Sequence, residues 1–261
     1  MDILKKIEEL DFAYLESFTT RKETPWGSLF YDQRQPLYYD ANHAHIREIP
    51  ENPKEVITEV ISFYQSLEII PRFYIYDTAS QGELINALKD EGFGYEELQS
   101  PVQLWTGEMA SVQSREDLTV EVLTLENLQE AIDIECSIEE LGGSSRENLL
   151  KIEFENPAYV HYLLRKDGKA CSTACIFHFG KQARMESVAT LKEYRGQGII
   201  GTLIHHIQKE VAKKDLEHFW VFPINERVEK VYARYGFNTV TTITTGHAFL
   251  GGKSITEIQQ G

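Results

Sequence analysis

The sequence predicts an α/β fold of the α+β kind, with two tandem units that each hold a mixed, mostly antiparallel sheet flanked by helices. Three observations predict it. Apolar residues recur at helical spacing in some segments and alternate at strand spacing in others. Residues 158–190 contain three strand-like runs separated by short turns, which is typical of consecutive antiparallel strands. The end of each half also repeats the same order of elements.

The composition excludes several classes of partner. The 261 residues carry a net charge of −15, whereas contacts to nucleic-acid phosphates need clustered Lys and Arg. No apolar run approaches the ~20 residues of a membrane helix, and the charged N-terminus does not fit a signal peptide. Cys136, Cys171 and Cys175 form no Cys-x-x-Cys pair. We therefore expect a cytoplasmic monomer or homodimer with reduced, buried thiols and with neither nucleic-acid nor membrane partners.

Residues 1–116 are expected to form the first unit. Its predicted helices are residues 4–18, 54–70 and 83–93, the last of them ended by Gly92. Its predicted strands are two short ones in residues 26–40, broken at Gln35-Pro36, and one each in residues 71–77 and 100–109. The polar segment 41–53, which contains two prolines, is interpreted as a connection.

Residues 117–261 are expected to form the second unit. Its predicted helices are residues 125–141, 145–156 with Ser145 available as N-cap, a helix from near Gly198, and residues 225–235 ended by Gly236. Its predicted strands are residues 118–124, three in 158–190 with turns at Asp167-Gly168 and Gly180-Lys181, then 218–224, 237–245 and 247–251.

The two halves look like copies of one unit. Aligning Gly92 with Gly236 gives an offset of 144 residues, and helices and strands then fall on counterparts of the same type. Residues 51–54, Glu-Asn-Pro-Lys, then oppose Arg195 to Gly198 and contain no glycine. The first unit is therefore expected to lack a phosphate-binding loop. The net charge is −11 over residues 1–116 and −4 over residues 117–261, which also favours the second unit for an anionic ligand.

The segment 185–214 reads as a strand, a short basic loop and a helix that begins near Gly198. Open amides and the helix dipole attract phosphate at such a junction, and Gly196 and Gly198 leave the backbone accessible. Residues 196–201 also satisfy Gly-x-Gly-x-x-Gly, but five residues separate them from the strand and an antiparallel meander precedes them, unlike a dinucleotide-binding unit. No Gly-Lys-Ser/Thr of a P-loop follows. Two interpretations of the loop remain. It binds the pyrophosphate of an acyl-coenzyme A, or it is a simple surface turn.

The strand, the Arg-Gly-x-Gly at a helix start, the next strand and Asn225-x6-Tyr232-x3-Gly-Phe together resemble the GCN5-related N-acetyltransferase (GNAT) family over residues 118 to about 251. The resemblance implies direct transfer of an acetyl group from acetyl-CoA to a primary amine, with acetyl-CoA as the acyl-donor substrate and no metal. In the family's Q/R-x-x-G-x-G/A loop, Ile200 replaces the final small residue and Gly201 follows one place later. Residues 54–106 resemble a degenerate GNAT-like unit more weakly.

The resemblance also implies a set of site residues. Those expected at the cofactor are Val188, Thr190, Arg195, Gly196, Gln197, Gly198, Ile199, Ile200, Gly201 and Asn225. Asn225 is alternatively a helix cap. Tyr232 matches the family's general acid, although tyrosines on an apolar helix face usually pack. Glu186 is the candidate base, since strand alternation places it on the face of Val188 and Thr190, and its alternative is a salt bridge.

Other clusters carry weaker signals. His43-Ala44-His45 and His205-His206 lack matched carboxylate or cysteine ligands, so we expect no metal site. The aromatic residues between Trp26 and Tyr39 fit either an acceptor pocket or a core. The acceptor, a small molecule or a peptide amine, is not specified by any motif. A non-catalytic protein that keeps the fold and binds CoA or another partner is the alternative function.

Overall fold

The computed structural model describes residues 3–260, with the side chains of residues 140, 259 and 260 outside the description. Within this range the helices are α1 (Ile3–Glu16), α2 (Pro53–Ser66), α3 (Gly82–Asp90), α4 (Leu128–Cys136), α5 (Arg146–Glu155), α6 (Ile200–Ala212), α7 (Glu226–Ala233) and α8 (Ile255–Gln260). The strands are β1 (Thr20–Thr24), β2 (Gly27–Tyr31), β3 (His43–Ile46), β4 (Arg72–Tyr76), β5 (Gly94–Trp105), β6 (Leu118–Val122), β7 (Tyr159–Lys166), β8 (Lys169–Phe179), β9 (Gln182–Thr190), β10 (His218–Val221) and β11 (Phe237–Phe249). No helix in residues 3–260 combines the length and apolarity needed to cross a bilayer.

Two compact units share the chain. One combines residues through Leu10 with Pro101–Thr242, and the other combines Asp11–Ser100 with the described residues from Ile243 onward. We call the first the glycine-loop unit, after Gly196 and Gly198, and the second the proline-loop unit, after Pro50 and Pro53. Strands β5 and β11 each run from one unit into the other. The boundary expected after residue 116 separates two copies of a sequence repeat, which is a different division from these compact units. It stays a prediction.

The glycine-loop unit has a mostly antiparallel sheet. Its strand order is β5-β10-β9-β8-β7-β6, with β9 and β10 as the parallel pair. The hairpin turn at Asp167-Gly168 has positive φ at both residues, 50° and 76°, which is the tight turn expected from the sequence. Apolar side chains cover both faces of the sheet. One core includes Met185, Leu203 and Phe219, and the other includes Ile132, Leu150 and Leu163.

The proline-loop unit is built in the same way. Its strands follow the order β1-β2-β3-β4-β11, with β3 and β4 parallel and the other resolved pairs antiparallel. Helices α2 and α3 pack Ile57, Val60, Leu84 and Leu88 into its core. This mixed, mostly antiparallel sheet flanked by helices agrees with the predicted fold class.

The segment 41–53 was wrongly expected to be a connection. Residues 43–46 form strand β3, all four of them are buried, and the strand pairs with both β2 and β4. A strand buried on both faces loses the polar alternation by which strands are recognised. The second strand expected within residues 26–40 is absent, since residues 32–40 form turns and irregular chain, and the polar strand β1 pairs with β2 instead.

Two smaller expectations were also wrong. Residues 237–251 were expected to hold two strands, but β11 runs without a break to Phe249 and α8 follows it. Gly246 lies inside this strand because a Cβ there would stand 2.8 Å from the Tyr95 hydroxyl, so it marks close packing and not a turn. Ser145 does not cap α5, because its hydroxyl donates instead to the carbonyl oxygen of Gly142 at 2.6 Å.

Candidate functional site

The loop between β9 and α6 has a backbone that only glycine adopts readily. After a short 3-10 turn at Lys192–Tyr194, Gly196 and Gly198 have φ of 76° and 71°. A Cβ at either position would meet no atom within 4 Å. The glycines are therefore required by the left-handed conformation and not by crowding.

The loop leaves a row of backbone amides open. The Arg195 amide donates to Lys192 O at 3.3 Å, and the next backbone bond of the loop runs from the Gly201 amide to Gly198 O at 3.4 Å. Within the described residues, the amides of residues 196–200 donate to no acceptor in the loop. Helix α6 has neither a side-chain cap nor an acidic residue in its first turn. Positive helix dipole and unpaired N–H groups thus coincide, which is the arrangement that binds phosphate.

Three cationic side chains fix this loop. Arg195 Nε donates to Thr190 O at 2.8 Å, Arg115 Nη1 donates to Gln197 O at 2.9 Å, and Lys166 Nζ donates to Gln197 Oε1 at 2.7 Å. Sequence reasoning missed Arg115 and Lys166. They reach the loop only because β6 begins and β7 ends at the sheet edge where β9 ends, and no local motif carries that information.

The two residues after the loop have different surroundings. Ile200, which departs from the family pattern, is half-buried and packs against the core of the glycine-loop unit. At Gly201 a Cβ would collide with the Tyr235 hydroxyl. Gly201, expected at the cofactor, therefore makes room for the Tyr235 side chain, which follows α7 in the chain.

Strand β9 contains a bulge where the reacting groups were expected. Cys175 pairs with Glu186 and Thr173 with Ala189, so β9 holds one residue more than β8 between these pairs. Ser187 lies in the bulge with φ of 53°. Met185 and Val188 consequently contact the same core, although strict alternation would place them on opposite faces. Glu186 shares a face with Arg184 instead, so the expected common face of Glu186 with Val188 and Thr190 was wrong.

The bulge is tied to a buried ion-pair network. Arg146, at the start of α5, donates from Nε to Glu135 Oε2 at 2.7 Å and from Nη1 to Glu153 Oε1 at 2.9 Å. Its Nη2 donates to Ser187 Oγ at 2.8 Å. The three charged side chains are at most 2% exposed. Burial raises the pKa of Glu135, and the nearby Glu153 charge raises it further.

Tyr232 is buried, and Glu186 is held in an ion pair. Tyr232 on α7 is 7% exposed and packs against Phe237, and burial together with the Glu186 charge raises its pKa well above the usual value. Its phenol is therefore protonated at neutral pH. Glu186 accepts a hydrogen bond from Arg184 Nε at 2.5 Å, so the salt-bridge reading of this residue is observed.

Asn225 caps helix α7. Its side-chain oxygen accepts from the Val228 amide at 3.0 Å, and its backbone is extended as an N-cap requires. The capping reading of this residue is confirmed.

Neither histidine pair belongs to a group with metal-like proximity in the part of the chain that the structure describes. His43 stacks on Tyr74 with ring centroids 4.1 Å apart, inside the aromatic core that also buries Phe30. Among the described residues, the group with metal-like proximity is Glu153, His161 and Cys175, with ligand atoms within 4.8 Å of one another. Both Glu153 oxygens already accept from Arg146. A cation placed beside that guanidinium would be repelled, so this group fits an ion-pair network better than a metal site.

Comparison with known proteins gives one family. Residues 125–237 match the acetyltransferase (GNAT) family. No curated protein matches the chain. A GCN5-related N-acetyltransferase from Kribbella flavida is 19% identical, with 97% of each chain covered and a TM-score of 0.70.

Two further solved structures share the fold. A functionally unknown conserved protein from Staphylococcus epidermidis is 12% identical, with 91% of this chain and 96% of that chain covered and a TM-score of 0.68. A tandem GNAT protein from the clavulanic acid biosynthesis pathway is 10% identical, with 81% and 76% covered and a TM-score of 0.52. The fold likeness thus extends over nearly the whole chain, and the match to the GNAT family model covers residues 125–237.

Proposed function

We propose that this protein binds acetyl-CoA at the glycine loop and transfers the acetyl group directly to a primary amine. The observation that carries the proposal is the row of open amides at residues 196–200, directly before an uncapped helix with no acid in its first turn. Arg195 and Lys166 add positive charge to the same loop, whereas Arg115, which also contacts it, forms a salt bridge with Asp117. A pyrophosphate would satisfy both the amides and the charges.

In the proposed reaction the neutral amine attacks the thioester carbonyl carbon. The carbon–sulfur bond then breaks, the departing thiolate takes a proton from Tyr232, and the proton released by the amine passes to Glu186. The protonated, buried phenol of Tyr232 supports its part. Glu186 shares its charge with Arg184, so we propose that an approaching acceptor replaces this ion pair. Val188 and Thr190 would line the pantetheine arm.

The organisation and setting of the protein are part of the proposal. We propose that residues 1–116 are a degenerate copy of the unit in residues 117–261. The agreement of element order at the 144-residue offset supports this, since α3 and α7 begin 144 residues apart. We further propose a cytoplasmic monomer or homodimer that acts on a small-molecule or peptide amine.

The alternative is a non-catalytic protein that keeps CoA binding. Ile200 in place of a small residue and the Arg184–Glu186 ion pair favour it. Isothermal titration with acetyl-CoA tests cofactor binding, which both functions require. We expect a 1:1 complex at micromolar affinity. No heat at millimolar ligand would contradict both functions. To separate the two functions, the protein is incubated with acetyl-CoA and each of a panel of primary amines, and the release of free thiol is measured. Only an enzyme releases CoA in an amine-dependent way.

A further inference from the structure

The bulge of β9 holds Ser187 in a conformation that a serine does not favour. Its φ of 53° lies in the left-handed region, where a side chain bearing a Cβ is strained. Such residues persist only where their surroundings impose the conformation. The surroundings of Ser187 therefore have to supply a specific restraint.

Arg146 supplies it. Its Nη2 donates to Ser187 Oγ at 2.8 Å, while the rest of the guanidinium is occupied by Glu135 and Glu153. Charge-assisted, forked contacts of this kind fix the plane of the guanidinium. Because the side chain is 2% exposed, water does not compete for these bonds. The hydroxyl of Ser187 is thus held by a group that cannot itself move easily.

The restrained residue separates Glu186, the proposed base, from Val188, which is proposed to line the pantetheine arm. Glu186 precedes Ser187 and Val188 follows it, so the φ of Ser187 sets the direction of the Val188 backbone relative to the Glu186 carboxylate. A bulge also leaves the extra residue outside the regular strand ladder. A relaxed β9 would turn these groups away from each other.

We propose that Arg146 is a positioning residue for acyl transfer. Through the Ser187 hydroxyl it keeps the β9 bulge in place, and the bulge in turn presents the Val188 amide to the acyl carbonyl of the bound thioester. The inference rests on the proposed function. A purely structural reading of the same network, as a brace between α4 and α5, makes different predictions for Ser187 variants.

The test compares four single variants. Ser187→Ala removes the hydroxyl and leaves all three buried charges in place. Ser187→Gly also removes it but adopts positive φ without strain. Arg146→Lys keeps the charge and loses the fork. Arg165→Lys is the matched control, because Arg165 also contacts two carboxylates, Glu121 and Glu130, in the same unit but has no contact with Ser187 among the described residues.

The readout is titration with CoA and with acetonyl-CoA, whose carbonyl cannot be transferred, together with kcat on an amine acceptor. We expect Ser187→Ala and Arg146→Lys to weaken acetonyl-CoA binding and to lower kcat by about tenfold, with CoA affinity unchanged within twofold. Ser187→Gly should stay within threefold of the unsubstituted protein on both measures. Adding Arg146→Lys to Ser187→Gly should cause little further loss. Arg165→Lys should change neither measure.

The opposite results are distinguishable. If Ser187→Ala and Arg146→Lys lower the melting temperature but leave the affinity ratio of the two ligands and kcat unchanged, the network is only a brace and the inference is wrong. If Arg146→Lys does not fold, Ser187→Ala and Ser187→Gly decide alone. If the unsubstituted protein binds neither CoA nor acetonyl-CoA, the proposed function fails, and this inference fails with it.

Discussion

The two units place very different loops at the same point of the same element order. In the glycine-loop unit, β9 leads to Gly196 and Gly198 with positive φ, and α6 starts without an acidic side chain. In the proline-loop unit, β3 leads to α2, which begins at Pro53 and carries Glu55 in its first turn. Proline has no N–H to offer and the glutamate repels an anion. The proposed phosphate binding would therefore depend on about five residues that the fold itself does not require.

The second helix of each unit differs in a similar way. Tyr232 on α7 and Leu88 on α3 stand 144 residues apart, and both are buried. Asn225 caps α7, whereas its counterpart Gln81 gives α3 no side-chain cap and donates instead to Glu48 O at 3.3 Å. A cavity of about 330 Å³ lies at the starts of α2 and α3, lined by Pro50, Pro53, Gln81 and Leu84 among others. The proline-loop unit thus has a buried residue at the position of Tyr232 but no side-chain cap at the position of Asn225.

The largest expected effect is on turnover, and it tests whether Tyr232 on α7 has a role that Leu88 on α3 lacks. Tyr232→Phe should lower kcat by about 10²- to 10³-fold with little change in acetyl-CoA affinity, because it removes the proton donor and keeps the ring. Turnover with a responsive amine and titration with acetyl-CoA measure the two quantities. Tyr162→Phe is the control, since Tyr162 is another buried tyrosine of the same core. Equal losses in both variants would mean that Tyr232 only packs, as Leu88 does.

The next largest effect is on acetyl-CoA affinity, and it tests the loop that contains Gly196 and Gly198. Gly198→Asp should weaken acetyl-CoA binding about 100-fold, because it places a strained residue at φ of 71° and a negative charge where the pyrophosphate is proposed to bind. Lys54→Asp is the matched change at the opposing position of the proline-loop unit. It should leave the affinity unchanged within twofold. If Lys54→Asp weakens binding as much as Gly198→Asp, the functional contrast between the loops is wrong.

The sequence predicts the elements of the glycine-loop unit better than those of the proline-loop unit, and the reason is physical. The meander of residues 158–190, helices α6 and α7, and the stop at Gly236 follow from periodicity and glycine placement, and the structure has them. Strand β3 was missed because all four of its residues are buried and it carries two histidines, which hides the strand pattern. The continuous β11 was missed because Gly246, which looks like a turn, is there for packing against Tyr95.

The site was predictable where it is local and unpredictable where it depends on strand register. The glycine loop and the helix cap Asn225 lie within short motifs, so the sequence places them. The predicted strand face of Glu186 was wrong because a single extra residue at Ser187 reverses the alternation of side chains. A serine gives no sequence signal for a bulge. Arg146 and Lys166 reach the site from distant elements, which only the fold brings together.

The third prediction concerns acid stability, in which the two units should behave alike. Burial lowers the pKa of His161 in the glycine-loop unit and of His247 in the proline-loop unit to about 4. An unfolded chain protonates these histidines near pH 6.5, so their stabilising contribution is present above that pH and is lost as the pH falls from 6.5 towards 4. The loss is of the order of 3 kcal/mol for His161.

Denaturant unfolding at several pH values, with His161→Phe beside the unsubstituted protein, measures this contribution. The variant should show a shallower fall in the free energy of unfolding between pH 6.5 and 4, since it has no group to protonate at this site. Equal slopes would show that His161 does not titrate with a lowered pKa. The remaining slope then belongs to His247 and other groups, and it should persist in the variant.

The smallest expected effect asks whether Asn225 differs from Gln81 in more than capping. Asn225→Ala should lower the free energy of unfolding by about 1 kcal/mol, because the Val228 amide loses its acceptor, whereas Asn225→Asp keeps an acceptor and should cost less. Thermal unfolding with and without acetyl-CoA measures both stability and binding. If Asn225 only caps, the two curves shift together and the stabilisation by ligand is unchanged. A loss of ligand stabilisation in both variants would place Asn225 at the cofactor, and the contrast with Gln81 would then be one of binding as well as of helix structure.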